Sequence, residues 1–134
     1  MPAKEIIPGS GQREIPVWNG NSDVVHWKGR TYSLADFMMI RETIRELAGF
    51  IEKFLDVKPA GKEELFLHAI RSTEFLKGKL IPMSTEAFLE SVNLTVNILA
   101  FRECLDDRHR KLAKENLEKI HHLLCLDVMF KIVK

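Results

Sequence analysis

A glutamate and a histidine three residues apart, Glu118 and His121, have a spacing that suits a metal site. On a helix, residues three apart share one face, so a carboxylate and an imidazole can bind one ion, as in di-iron and di-manganese bundles. Such a site also needs a second Glu-x-x-His pair and two further glutamates. The nearest second pair, Glu64 and His68, is spaced one residue too far apart. Metal binding by Glu118 and His121 is therefore an alternative, and the main prediction includes no metal and no cofactor.

Arg102 and His109 form a second pattern that could carry chemistry. Six residues separate them, which fits the loose Arg-x(4 to 6)-His pattern of an arginine and a histidine paired across a dimer. In this respect the sequence resembles the HEPN ribonuclease bundles. The resemblance implies RNA cleavage by Arg102 and His109, and it is the alternative catalytic assignment; no other catalytic residue is predicted.

A basic cluster begins near His109. Acidic residues interrupt the cluster, and no aromatic residues are interleaved with it to stack on bases. We expect a solvated face with ion pairs one turn apart, such as Lys111 with Glu115. A nucleic-acid partner is therefore less favoured than a protein partner. The cluster consists of Arg108, His109, Arg110, Lys111 and Lys114.

The composition argues against several classes of function. A formal net charge of +1 gives no overall attraction to nucleic acid or an acidic membrane. The sequence contains no Gly-rich phosphate loop and no Ser or Cys nucleophile in a recognisable frame. It has no apolar run long enough to span a membrane, and its N-terminal residues have no apolar signal segment. We therefore predict a non-enzymatic, cytoplasmic protein without membrane contact, in which Cys104 and Cys125 are reduced core residues.

Residues 1–33 are expected to form a flexible arm and a short β-hairpin. Pro and Gly are frequent up to residue 13, which is typical of a mobile terminus. The β-forming residues 24–27 and 30–32 flank Lys28-Gly29, a tight-turn dipeptide. A two-stranded hairpin is marginal by itself, so Trp18, Trp27 and Tyr32 should pack against the helices.

Four helices are predicted over residues 34–134, which with the hairpin make a single domain. Ser33 and Asp36 resemble a capping box for the first helix, expected to run to residue 56 or 57. The second should run from about residue 62 to 77 or 78, the third should follow Ser84 or Thr85, and the fourth should follow residues 105–107. Whether residues 125–134 form helix or strand is left open. Short connections predict an antiparallel, up-down-up-down bundle, so the fold class is mainly α.

The third helix differs from the others because apolar residues cover most of its circumference. This pattern predicts a helix packed on several sides. A polar stripe on this helix is expected to face solvent; alternatively, Asn93 and Asn97 fix the register of a helical partner, as buried asparagines do in coiled coils. The stripe consists of Glu86, Glu90, Asn93 and Asn97.

Apolar residues exceed what one four-helix core requires. The surplus is assigned to Met38, Met39 and Phe50 on the first helix and to Met129 and Phe130 near the C-terminus. Contiguous exposed apolar surface is typical of protein-binding sites, and methionine adapts its shape to a partner. The sequence therefore predicts an interaction or assembly module, an adaptor or regulatory subunit, that uses these five residues to bind a protein partner or to form a homodimer.

Overall fold

In the part of the chain that the structure describes, two short strands are followed by four helices. The computed structural model describes residues 14–18, 20–53, 59–104 and 107–127, without the side chains of residues 59–62 and 104. Its elements confirm the predicted mainly α bundle with a preceding hairpin. The elements are β1 (Val24–Trp27), β2 (Arg30–Ser33), α1 (Leu34–Lys53), α2 (Pro59–Leu80), α3 (Thr85–Cys104) and α4 (Asp107–Leu123).

The hairpin has the predicted turn. β1 and β2 are antiparallel, with Trp27 opposite Arg30. Lys28 and Gly29 both have left-handed backbone angles, with φ of 52° and 76°, as the two central residues of a type I′ turn require. Val17 extends this pairing, since its N–H donates to the carbonyl of His26 and its carbonyl accepts from the His26 N–H. The predicted arm, residues 1–13, lies outside the described residues.

An aromatic cluster fixes the hairpin to the start of α1. The Trp27 side chain is buried, and its ring centroid lies 5.9 Å from that of Phe37 and 6.1 Å from that of Tyr32. Trp27 Nε1 donates to the carbonyl of Glu14 at 2.9 Å, so the buried indole N–H is satisfied. Trp18 and Tyr32 pack partly buried against the same core, as the sequence predicts.

The first helix begins where its cap predicts. Ser33 Oγ accepts a hydrogen bond from the Ala35 N–H at 3.1 Å, which satisfies one of the free N–H groups of the first turn. Asp36 was predicted to complete a capping box, whereas its Oδ1 accepts a hydrogen bond from Lys79 Nζ at 2.8 Å. This contact links the start of α1 to the end of α2. The predicted extension of the first helix to residue 56 or 57 lies outside the described residues.

The predicted limits of the second helix are wrong at both ends. α2 begins at Pro59, because a proline in the first turn has no N–H to lose and already has a helical φ. Gly78 does not end the helix, which continues to Leu80 and closes with a hydrogen bond from the Ile81 N–H to the carbonyl of Lys77. Ser84 caps α3 as predicted, since its Oγ accepts from the Ala87 N–H at 3.1 Å.

Each helix packs beside two others. α1 lies against α2 and α4, and α3 lies against the same two helices, so α1 and α3 are diagonal to each other. Their inner faces form one apolar core, continuous with the hairpin through Val25 and Trp27. In the described residues, no helix is both long enough and apolar enough to cross a membrane.

The end of α4 closes the bundle against the segment that precedes the hairpin. Cys125 has a φ of 57°, which ends the helical path, and its buried thiol lies 3.4 Å from the carbonyl oxygen of Glu14. Leu124 and Leu126 are also buried. Residues 128–134 lie outside the described residues, as do Met129 and Phe130 of the predicted interaction surface.

Candidate interaction surface

The third helix has two apolar faces. The inner face is fully buried in the core and consists of Ala87, Ser91, Leu94, Ile98 and Phe101. On the opposite side lies a second set of apolar residues, spaced three, four and three apart, which we call the outer row. Leu89, Val96 and Leu99 in this row are 54%, 58% and 40% exposed, and Val92 is half-buried. The outer row consists of Leu89, Val92, Val96 and Leu99.

Contacts on both flanks fix the rotation of α3 so that the outer row faces solvent. On the α4 side, Asn97 Nδ2 donates to Asn116 Oδ1 at 2.8 Å, and Asn116 Nδ2 donates to Glu90 Oε1 at 2.9 Å. On the α2 side, Arg102 forms an ion pair of 2.7 Å with Glu63. Rotating α3 to bury the outer row would break both sets of contacts and expose Leu94, Ile98 and the rest of the inner face.

The third helix is packed on several sides, as predicted, because α2 and α4 cover its flanks, while its outer row remains exposed. The prediction that its polar stripe faces solvent is right for only part of the stripe. Asn97 and Glu90 are half-buried and bonded to the buried Asn116, whereas Asn93, one turn from Asn97 on the same stripe, is exposed. The structure thus places Asn97 in a polar contact between α3 and α4 within the bundle.

No charged residue interrupts the outer row. Its line along the helix begins at Thr85 and ends at Glu103, both exposed, and only apolar residues lie between these two at the same helical angle. Exposed apolar residues scattered singly are ordinary, but an aligned row along a whole helix is typical of an interface.

A groove between α3 and α4 continues the apolar surface on one side. It has a volume of about 620 Å³, and its apolar lining residues are Leu89 and Leu123. Its other lining residues are mostly acidic, with Lys119 and His122 among the glutamates. The lining glutamates are Glu86, Glu90, Glu115 and Glu118.

The predicted surface on the first helix is only partly exposed. Met38 and Met39 are half-exposed, as an interaction surface requires. Phe50 is not a surface residue: it is 6% exposed, and its ring packs edge-to-face on Phe66 at 5.4 Å. The prediction for Phe50 is wrong because the residue belongs to the buried stripe of α1, beside Leu47 and Ile51.

Arg102, one of the two residues of the ribonuclease alternative, already binds other groups within the bundle. Arg102 pairs with Glu63, and its guanidinium carbon lies 5.9 Å from the ring centroid of Phe66. His109 lies in the first turn of α4 and is half-buried, and its Nδ1 is buried without a hydrogen-bond partner among the described residues. Arg102 is thus held against α2 by a carboxylate, which reduces the charge it could offer to a phosphate.

Carboxylates neutralise much of the basic cluster. Arg110 Nε donates to Asp107 Oδ1 at 2.7 Å, and this hydrogen bond lowers the pKa of Asp107. Lys111 also pairs with Asp107, one turn before it, whereas its predicted partner Glu115 lies one turn after it. Lys114 donates to Glu52 on α1, and this hydrogen bond lowers the pKa of Glu52.

Glu118 and His121, the residues of the metal alternative, line an open groove of about 320 Å³ between α1 and α4. Lys114 shares the groove with them, and its ammonium group opposes cation binding. Among the described residues, no group of three His, Cys, Asp or Glu side chains could hold a metal ion. The third ligand that a site at Glu118 and His121 would need is therefore missing from this part of the chain.

No family model, no curated protein and no solved structure matches this chain. The assignment of a function therefore depends on the surfaces described above.

The outer row of α3 was missed in the sequence, although a signal for it was present. In a four-helix bundle each helix needs one apolar face, and the third helix has two separate rows that each follow helical spacing. Apolar residues 87, 94, 98 and 101 form the first row, which also contains Ser91, and residues 89, 92, 96 and 99 form the second. The second row is part of the apolar surplus that a single-chain bundle does not use.

Proposed function

We propose that this protein is a non-enzymatic interaction module that acts in the cytoplasm and binds another protein chain through the outer row of α3. The observation that carries the proposal is the aligned exposure of Leu89, Val96 and Leu99 on a helix whose opposite face fills the core. The Cys125 thiol is buried against the carbonyl of Glu14, a position typical of a small core residue, which is compatible with a cytoplasmic setting.

The outer row offers binding energy that the isolated bundle does not use. Full burial of a Leu or Val side chain stabilises by about 1.5–3 kcal/mol, so half-exposed residues retain about 1 kcal/mol each for a partner. The row is also pre-organised, because the contacts of Asn97 and Arg102 already fix the rotation of α3. Binding then requires little ordering of the backbone.

A smaller apolar patch lies on α1. Met38 and Met39 are adjacent and half-exposed. Because α1 is diagonal to α3 in the bundle, this patch faces away from the outer row. We propose it as a secondary contact for larger assemblies. The outer row is the primary surface because it contains more apolar residues and extends along a whole helix.

Site-specific photocrosslinking in cells would test the proposed function. A benzophenone amino acid at position 96 of the full chain should form a covalent adduct with a protein of defined mass. The same group at position 81 is the matched control, because Ile81 is 62% exposed but lies in the turn after α2. An additional Leu99→Glu substitution should abolish the adduct at position 96. Absence of a protein adduct at position 96, or equal adducts at positions 81 and 96, would contradict the proposal.

A further inference from the structure

We infer that the partner of the outer row is a second copy of this chain, with the two α3 helices antiparallel about a two-fold axis at the level of Leu94. This inference rests on the proposed function, whose binding surface it shares. The contact would extend along the whole of α3, a 20-residue helix about 30 Å long.

The first argument is the symmetry of the outer row. A two-fold axis at the level of Leu94 pairs residues that lie equally far from it on either side. Leu89 then meets the partner's Leu99, and Val92 meets the partner's Val96. A dimer with two-fold symmetry needs a self-complementary patch, and the outer row has the same residue types and the same spacing in both directions.

The sizes of the paired side chains support the same arrangement. Packed helices cross at an angle, so their surfaces are closest at the crossing point and separate toward the ends of the contact. The smaller Val92 and Val96 lie next to the proposed axis, whereas the longer Leu89 and Leu99 lie farther out. The row therefore fills a gap that widens with distance from the axis.

Charge complementarity selects the antiparallel direction. Glu103, the acidic end of the line, would lie beside the partner's Thr85 at the N-terminus of α3. Free N–H groups and the helix dipole favour a carboxylate there. A parallel pair would instead place Glu103 beside the partner's Glu103. The antiparallel arrangement is therefore the electrostatically favoured one.

Asn93 contributes a polar contact close to the axis. It is exposed on the α4 flank of the outer row, one residue from the level of Leu94. The proposed two-fold axis keeps each flank on its own side, so Asn93 would face the partner's Asn93. Because an amide both donates and accepts, it can hydrogen-bond to its own copy, and such a pair fixes the register.

Sedimentation equilibrium of the full chain would test whether the partner is a second copy. We expect the wild type to form a dimer of two 15.5 kDa chains at micromolar concentration. Val96→Glu should raise the dimer dissociation constant at least about 30-fold, the change expected for a central interface residue. Ile81→Glu is the matched control and should leave the dissociation constant unchanged. Far-ultraviolet circular dichroism should show equal helix content in all three proteins.

Two double variants would test the direction of the helices. Leu89→Lys with Leu99→Glu places opposite charges together only in the antiparallel pair, and this variant should dimerise. Leu89→Glu with Leu99→Glu removes the same leucines but places like charges together, and it should be monomeric. These positions are ten residues apart, so the new charges do not pair within one helix.

The outcomes distinguish the inference from the proposed function. A monomeric wild type that still crosslinks to another protein at position 96 would overturn the inference that the partner is a second copy. The proposed function as an interaction module would stand. A dimer insensitive to Val96→Glu would overturn the assigned surface. A dimer sensitive to Val96→Glu, with both double variants monomeric, would overturn the antiparallel arrangement.

Discussion

Asn116 links α4 to α3 through both the oxygen and the nitrogen of its side-chain amide. It is buried, its carbonyl oxygen accepts from Asn97, and its nitrogen donates to Glu90. Replacing it with alanine leaves two partly buried polar groups without this partner. We expect Asn116→Ala to lower the free energy of unfolding by about 1–3 kcal/mol, measured by urea denaturation.

Glu115→Ala is the control for Asn116, since Glu115 is the adjacent, exposed residue on the same helix. The Glu115→Ala substitution should change the free energy of unfolding by less than about 0.5 kcal/mol. Equal losses for the two variants would show that the amide contacts of Asn116 contribute nothing specific.

The ion pair between Glu52 and Lys114 makes part of the stability depend on pH. The hydrogen bond from Lys114 lowers the pKa of Glu52 in the folded protein, so the unfolded chain binds a proton more readily at this group. The stabilisation is therefore present above the ordinary glutamate pKa and is lost as the pH falls through the lowered value. We expect Glu52→Gln to be slightly less stable than the wild type at pH 7.

The difference between the wild type and Glu52→Gln should vanish in acid, below the lowered pKa, where both side chains are neutral. Thermal unfolding at a series of pH values would measure it. A difference that persists unchanged in acid would contradict an electrostatic origin. Glu42→Gln is a suitable control, because Glu42 is exposed and its 3.7 Å ion pair with Arg45 lies within α1.

At the scale of single residues, sequence patterns could not separate Asn93 from Asn97. Both asparagines belong to the same polar stripe, and helical periodicity gives them the same environment. They differ because α4 places Asn116 beside Asn97. Such a contact depends on the packing of two helices distant in sequence, so no local signal predicts it.

Among the elements, the hairpin packs on α1 through an aromatic cluster in which Trp27 is the buried member. Trp27 is buried and contacts both Tyr32 and Phe37. Truncation to alanine removes these contacts and leaves a large cavity. We expect Trp27→Ala to lower the free energy of unfolding by about 3–5 kcal/mol in urea denaturation.

Trp18 provides the matched comparison for Trp27. It is only half-buried, and its indole nitrogen donates to the nearby carbonyl of Ser22 at 2.7 Å. Trp18→Ala should therefore lower the free energy of unfolding clearly less than Trp27→Ala does. A larger loss for Trp18→Ala would show that the hairpin is attached mainly through the segment that precedes it.

The elements with local signals were predicted well. The turn at Lys28-Gly29 and the caps at Ser33 and Ser84 follow from backbone conformations and hydrogen bonds within a few residues. The errors fall at Pro59 and Gly78, where the second helix extends beyond its predicted limits. Proline is compatible with a first turn, and a helical glycine costs only about 1 kcal/mol relative to alanine, which tertiary packing can offset.

For the whole molecule, the two apolar surfaces should have unequal effects on association. Met39 lies on α1, diagonal to α3, so its side chain would not contact a dimer interface formed by the outer row. We expect Met39→Glu to change the dimer dissociation constant by less than about threefold, compared with at least about 30-fold for Val96→Glu. Sedimentation equilibrium at matched concentrations measures both.

A stronger loss of association for Met39→Glu than for Val96→Glu would assign the primary contact to α1. That result would favour the surface predicted at Met38 and Met39 from the sequence. It would also remove the outer row as the primary surface.

The bundle could be predicted from the sequence, but the location of its spare apolar surface could not. The sequence indicated that apolar residues exceed the needs of one core, and it assigned part of the excess to Phe50. Packing determines instead that Phe50 is buried on Phe66 and that Val96 is exposed. Which of two apolar rows on one helix faces inward depends on the neighbouring helices, and periodicity alone does not decide between them.

The attachment of the hairpin also gives the molecule a built-in optical reporter. Its only two tryptophans, Trp18 and Trp27, both lie before the first helix, so no tryptophan belongs to the four helices themselves. Tryptophan fluorescence therefore reports on the hairpin, while far-ultraviolet circular dichroism reports mainly on the bundle. Coincident unfolding curves would show that the hairpin and the bundle melt as one cooperative unit, and separated curves would show that the hairpin detaches first.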